Sequence, residues 1–364
     1  MALSVGIVGL PNVGKSTLFN ALTQASVEAS AYPFCTVDPN IGVVEVPDHR
    51  LPRLADVIKP ESVTPTQVRF VDIAGLVRGA SKGAGLGNQF LGHIRECDAL
   101  IHVVRCFADS QVAHVGGETD PIRDFETVEA ELLLADLETA ARAYEKVSKI
   151  LRANARGPGR LEVEALERIV SALETGTPVR KLEFSREMAP VISAYHFLTQ
   201  KRVLALANVD ESGLPDGGES VSRLKIRSPD VEVVVVCAQV EAEIAEMDIE
   251  DRIAFLKDYG LESTGIDRLI GSAFRLLDLI TFYTTASQKL QAWQVSDGDT
   301  APVAAGRIHS DMETGFIRAE VAACEDVLQA GKMEAVREVG KLRVEGRDYV
   351  VKDGDVIRFL FKSD

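Results

Sequence analysis

Nine residues near the N-terminus, Gly9-Leu10-Pro11-Asn12-Val13-Gly14-Lys15-Ser16-Thr17, have the types and spacing of G-x-x-x-x-G-K-[ST]. In that pattern the loop N–H groups from Asn12 to Thr17 surround phosphate oxygens, Lys15 brings a point charge to the β- and γ-phosphates, and Ser16 offers a hydroxyl to Mg²⁺. A second cluster lies some 55 residues on. There Asp72-Ile73-Ala74-Gly75 ends an apolar run as D-x-x-G, a carboxylate for the Mg²⁺ shell followed by a glycine N–H, Gly75, that senses the γ-phosphate. Between them, Thr36 is placed to complete the Mg²⁺ shell. The expected chemistry is nucleoside triphosphate binding and phosphoryl transfer to water.

These groups need strand ends to hold them. Apolar runs recur at 3–8, 68–71, 99–104, 203–207 and 231–236 with helical patterns between several of them, which predicts a parallel sheet covered by helices on both faces. From 125 to 200 the pattern changes to long Ala-, Leu- and Glu-rich helices broken at Gly157-Pro158-Gly159 and Gly176-Thr177-Pro178, expected to form an inserted helical hairpin. A helix is expected from about 265 to 279, and the last 80-odd residues read as a small α+β unit ending in the strand 356–361. The expected division is a nucleotide-binding domain over 1–281, interrupted by 125–200, and a C-terminal domain over 282–364.

Composition narrows the class. The chain has 364 residues, 46% of them hydrophobic, and no apolar run near the roughly 20 residues of a membrane span, so a cytoplasmic protein with no membrane partner is expected. Five scattered cysteines without a C-x-x-C pair suggest neither a disulfide framework nor a zinc site. A net charge of −15 argues against generalised nucleic-acid binding, and no DNA partner is expected. One local exception is the series Arg142, Lys146, Lys149, Arg152, Arg156 and Arg160, whose first five members fall on one face of a helix. It reads either as a track for the phosphates of ribosomal RNA or as an ordinary solvated face.

The run from Asp72 to Leu91, with five glycines between 75 and 87, resembles the Obg-related translation-factor GTPases and, within them, the YchF or Obg-like ATPase family. The likeness extends over nearly the whole chain. It implies that the Gly-rich segment orders around a γ-phosphate and that the protein works as a nucleotide switch at the ribosome. It also implies that the C-terminal domain is a β-grasp module of the TGS type, a resemblance carried by Gly306-Arg307-Ile308-His309-Ser310-Asp311 and Gly315-Phe316-Ile317-Arg318-Ala319.

Two departures from Ras-type enzymes are informative. Leu76 stands where those enzymes place a water-orienting glutamine, and the resemblance assigns that task to His114, in the context Cys106-Phe107 and His114-Val115. The chain also has no N-K-x-D. It carries Asn208-Val209-Asp210-Glu211, matching the family's N-x-x-E, with Cys237-Ala238-Gln239 as the second base-contacting loop. Loss of the lysine and a carboxylate one methylene longer displace the guanine-specific fork, so ATP is expected to be preferred, with GTP secondary. Asn12 occupies the position that some cation-dependent relatives use to hold K⁺, making K⁺ a candidate second cation beside Mg²⁺. The competing function is a nucleotide-gated protein-binding module in which hydrolysis is incidental.

Overall fold

The computed structural model describes residues 3–27, 40–73, 86–107, 119–153, 159–286 and 288–362. Among them run twelve strands: β1 (Ser4–Val8), β2 (Ile41–Glu45), β3 (Ser62–Thr64), β4 (Gln67–Asp72), β5 (Ala99–Arg105), β6 (Arg202–Asn208), β7 (Val233–Val236), β8 (Leu279–Ala286), β9 (Lys289–Ser296), β10 (Phe316–Ala323), β11 (Arg343–Glu345) and β12 (Asp355–Phe361). The helices in chain order begin with α1 (Lys15–Val27), α2 (Arg50–Ile58), α3 (Leu86–Glu96), α4 (Pro121–Ala153), α5 (Arg160–Glu174) and α6 (Ala189–Ser193). They continue with α7 (Gly218–Arg227), α8 (Ala238–Ala245), α9 (Ile249–Asp258), α10 (Gly265–Leu276) and α11 (Ala301–Ile308).

The first sheet has the order β2-β4-β1-β5-β6-β7. Its five strands from β4 to β7 are parallel, with Ile7 opposite Asp72 on one side of β1 and opposite Ile101 on the other. The backbone bonds Val46 N–H to Thr66 O and Asp72 N–H to Asn40 O run in opposite senses, so β2 is antiparallel to β4. Every residue of β1 and β5 is buried, which requires cover on both faces and accounts for their largely apolar sequence, with His102 and Arg105 as buried exceptions. The chain leaves β1 on one side toward β4 and on the other toward β5. The crevice at the C-terminal end of β1 is therefore the topological switch point where ligands bind in such sheets.

The expected helical insertion is present. Helix α4 is 33 residues long, a rise of about 50 Å. Helix α5 packs on it through Ala140, Leu166, Ile169 and Leu173, joined by Phe197 from the returning chain. Buried Asp136 fixes the return, accepting from Leu198 N at 2.9 Å and from Thr199 N and Oγ1, both at 2.7 Å.

The second sheet runs β11-β10-β12-β8-β9-β3. Hairpin β8–β9, helix α11, and the final strand β12 inserted parallel to β8 and antiparallel to β10 make the β-grasp topology. Ala301, Ala304 and Ala305 of α11 lie against Phe282, Val321 and Ile357. The chain divides into two compact units, residues 1–42 with 69–269 and residues 43–68 with 270–364. Residues 43–68, which sequence order assigns to the nucleotide-binding unit, thus pack with the C-terminal one: β3 pairs parallel to β9, and Leu51 and Leu54 of α2 enter the cluster of Tyr283, Val327 and Val356.

Candidate functional site

The phosphate loop leaves β1 with two backbone positions that only glycine fits. Gly9 has φ +156°, and a Cβ there would stand 2.6 Å from the Val103 carbonyl oxygen; Gly14 has φ +93°, and its Cβ would meet Asn208 Nδ2 at 2.3 Å. Leu18 N–H bonds to Gly14 O at 3.0 Å, starting α1 directly at the loop. The helix N-terminus thereby aims its N–H groups at the place a phosphate occupies.

Lys15 is buried, and its ammonium donates to the carbonyl oxygens of Gly9 (3.1 Å) and Leu10 (3.0 Å). Burial lowers its pKa, and the nearby Asp72 carboxylate opposes that shift. Asp72 is the reciprocal case: burial raises its pKa and Lys15 pulls it back. Its Oδ1 is buried with no hydrogen-bond partner among the described residues, so the Lys15 charge offsets only part of its desolvation. A hard divalent cation could take such an oxygen, and the Ser16 hydroxyl, exposed at the first turn of α1, could serve as a second protein ligand. Among the described residues no group of three or more His, Cys, Asp and Glu could hold a metal by itself.

A cavity of about 720 Å³ opens beside the loop, lined by Asn12, Gly14 and Thr17, by Phe107, by Asn208, Val209 and Asp210, and by Ala238 and Gln239 with one face of α8. Buried Asn208 connects its two ends: Nδ2 donates to Val13 O at 2.9 Å, and Oδ1 accepts from Ala238 N at 3.0 Å. Phe107 forms an apolar wall, held by buried Arg105. The Arg105 Nε donates to Phe107 O at 3.2 Å, and its guanidinium lies 4.5 Å from the ring centroid.

Comparison with known proteins places this geometry. Residues 4–141 match the family model described as 50S ribosome-binding GTPase, and residues 279–362 match the model of the YchF-GTPase C-terminal domain, described as a protein of unknown function. The protein of Bacillus subtilis (strain 168) named ribosome-binding ATPase YchF is 49% identical over 99% of this chain and 100% of its own length, and that of Escherichia coli O157:H7 is 48% identical over 99% of each. The chain belongs to the YchF family. A solved YchF GTPase from Schizosaccharomyces pombe superposes with a TM-score of 0.89 at 33% identity, covering 98% of this chain and 97% of that one.

Within this YchF-family chain, the structure brings together Asn12, Gly14, Thr17, Asn208, Val209 and Ala238 around the cavity. Val13 joins them through Asn208, and Lys15 and Asp72 form the charged pair beside the loop. Glu211 is placed differently. It is exposed, does not line the cavity, and accepts a hydrogen bond from the Tyr259 hydroxyl. Thr36, Gly75 and His114, and most of the Gly-rich segment, lie outside the described residues.

Sequence reasoning did not single out Glu243 and Glu246, which line the cavity from α8, or Tyr259. The three-residue spacing of the two glutamates was the available signal for a shared helix face. The role of Tyr259 had no local signal, because its partner is 48 residues away.

Proposed function

We propose that this chain is a Mg²⁺-dependent nucleoside triphosphatase that prefers ATP to GTP and acts as a nucleotide-dependent switch on the ribosome. The observation that carries the phosphate chemistry is the buried Asp72 oxygen at the C-terminal end of β4, beside Lys15 and without a hydrogen-bond partner among the described residues. Loop N–H groups from Asn12 to Thr17 bind the β-phosphate oxygens. Lys15 exchanges the neutral Gly9 and Leu10 carbonyls for phosphate oxygens, whose charge makes the new hydrogen bonds stronger. Ser16, Asp72 and Thr36 hold Mg²⁺, which when bound supplies charge neutralisation between the β- and γ-phosphates. Gly75 reports the γ-phosphate, and His114 positions the attacking water. K⁺ beside Asn12 remains a candidate second cation.

The ATP preference is supported by the absence of N-K-x-D and by a Glu211 carboxylate that does not line the cavity. The ribosome as partner is supported by the names of the full-length relatives and by exposed cations along α4. Phosphate release by the purified protein with Mg·ATP, with and without ribosomes, tests the reading. Mg²⁺-dependent turnover that ribosomes accelerate many-fold is expected, and a ribosome-independent rate would favour the nucleotide-gated binding module instead.

A further inference from the structure

In N-K-x-D proteins the carboxylate of the fourth residue accepts from N1–H and the N2 amino group of guanine, and position 211 is that fourth residue here. Its carboxylate is engaged elsewhere. Tyr259, the residue that ends α9, donates its hydroxyl to Glu211 Oε1. The tyrosine is seated for this role: its ring packs against Phe255 at a centroid distance of 4.7 Å with the planes tilted by 31°, and its N–H bonds to Phe255 O at 3.3 Å. Phe255 in turn packs on the cluster of Val209, Val235 and Cys237. The extra methylene of glutamate provides the reach from the 211–213 turn to α9.

Of the other carboxylates that line the cavity, Asp210 and Glu243 accept hydrogen bonds from their own neighbours, and Glu246 lies at the far end of the α8 face. Asp210 closes its own turn, accepting from Gly213 N at 3.0 Å and Ser212 Oγ at 2.7 Å. Glu243 accepts from Gln239 Nε2 at 3.4 Å.

We infer that Tyr259 is a specificity latch, holding the Glu211 carboxylate away from the base. A guanine in the cavity then buries N1–H and N2–H donors with no acceptor at position 211, whereas adenine presents neither donor and loses nothing. This inference rests on the ATP-preferring reading above.

The test is equilibrium titration of non-hydrolysable ATP and GTP analogues into wild type, Tyr259→Phe, Glu211→Ala and the double variant, with thermal unfolding to establish that each is folded. Tyr259→Phe removes one hydroxyl at the surface and is expected to shift the ATP:GTP affinity ratio toward GTP by about 3- to 10-fold, the span of one solvent-exposed hydrogen bond. In the Glu211→Ala background the same substitution is expected to change nothing. A wild type that prefers ATP with a ratio unmoved by Tyr259→Phe overturns the latch and leaves the ATP reading standing. A shift that persists without Glu211 also overturns the latch. A wild type that prefers GTP overturns the reading and the latch together.

Discussion

Asn208 is hydrogen-bonded to Val13: the amide at the end of β6 donates to a phosphate-loop carbonyl across 2.9 Å, while its oxygen accepts from Ala238 at the start of α8. One buried side chain thus sets the distance between the phosphate loop and the start of α8, the proposed phosphate and base sites. Asn208→Ala leaves Ala238 N–H and Val13 O without this partner, at a cost of roughly 1–3 kcal/mol. Nucleotide affinity measured by titration should fall about 10- to 100-fold. Asn208→Asp should be at least as damaging, because its carboxylate oxygen would face the Val13 carbonyl.

Asp72 holds a buried oxygen with no hydrogen-bond partner among the described residues, beside the Lys15 ammonium. Asp72→Asn keeps the shape and removes the charge, so nucleotide binding in EDTA should be little altered while Mg²⁺ no longer tightens it, and turnover should drop about 100-fold or more. Lys15→Ala should weaken triphosphate binding itself. Titrations with and without Mg²⁺ separate the two effects.

His102, fully buried in β5, stacks on Phe125 at 4.7 Å, and its Nδ1 has no hydrogen-bond partner. Burial, with Lys15 and Arg180 nearby, lowers its pKa from 6.5 to about 3. The unfolded chain takes up a proton at this site as the pH falls below 6.5 and the folded chain does not. The stability contribution is therefore complete above pH 6.5 and lost progressively toward pH 3, at about 1.4 kcal/mol per pH unit. His102→Phe, which retains the stacking and cannot titrate, should flatten the acid limb of a denaturant-midpoint profile over that range.

The basic series on α4 is partly neutralised within its own helix. Arg142 pairs with Glu138 at 2.7 Å and Lys149 with Glu145 at 2.6 Å, in the i, i+4 geometry of a solvated face. Lys146 and Arg152 are exposed on the same helix and should carry more of any contact with RNA phosphates. Charge reversal at these two positions should reduce co-sedimentation with ribosomes and the salt dependence of binding, leaving ATP affinity unchanged.

Local pattern and tertiary placement were not equally legible. The phosphate loop, β1, β5, β6 and the α4–α5 arm could be read because each is set by its own sequence: a glycine spacing, an unbroken apolar run, a long helical period. Strand β2 alternates half-buried and buried positions over only five residues, too short a run to stand out. The membership of 43–68 in the C-terminal unit depends on a three-residue strand, Ser62–Thr64, finding β9, a pairing separated by more than 200 residues with no periodic signal. Asn208 and Ala238, singled out by the motif, both line the cavity. The direction of Glu211 was not legible, because it is set by a 3₁₀ turn and a tyrosine from another helix.

His114→Ala provides the corresponding test of the hydrolytic step: ATP affinity should stay within about twofold of wild type while single-turnover phosphate release falls about 100-fold or more, the usual scale of a lost general base. An unchanged rate would remove His114 from the mechanism.

The most direct measurement for the account as a whole is isothermal titration of the wild-type protein with non-hydrolysable ATP and GTP analogues in buffer containing Mg²⁺. Tighter binding of the ATP analogue is expected, because the cavity between Asn208, Phe107 and Ala238 presents no carboxylate from position 211 to a guanine edge. Equal or tighter binding of the GTP analogue would contradict it.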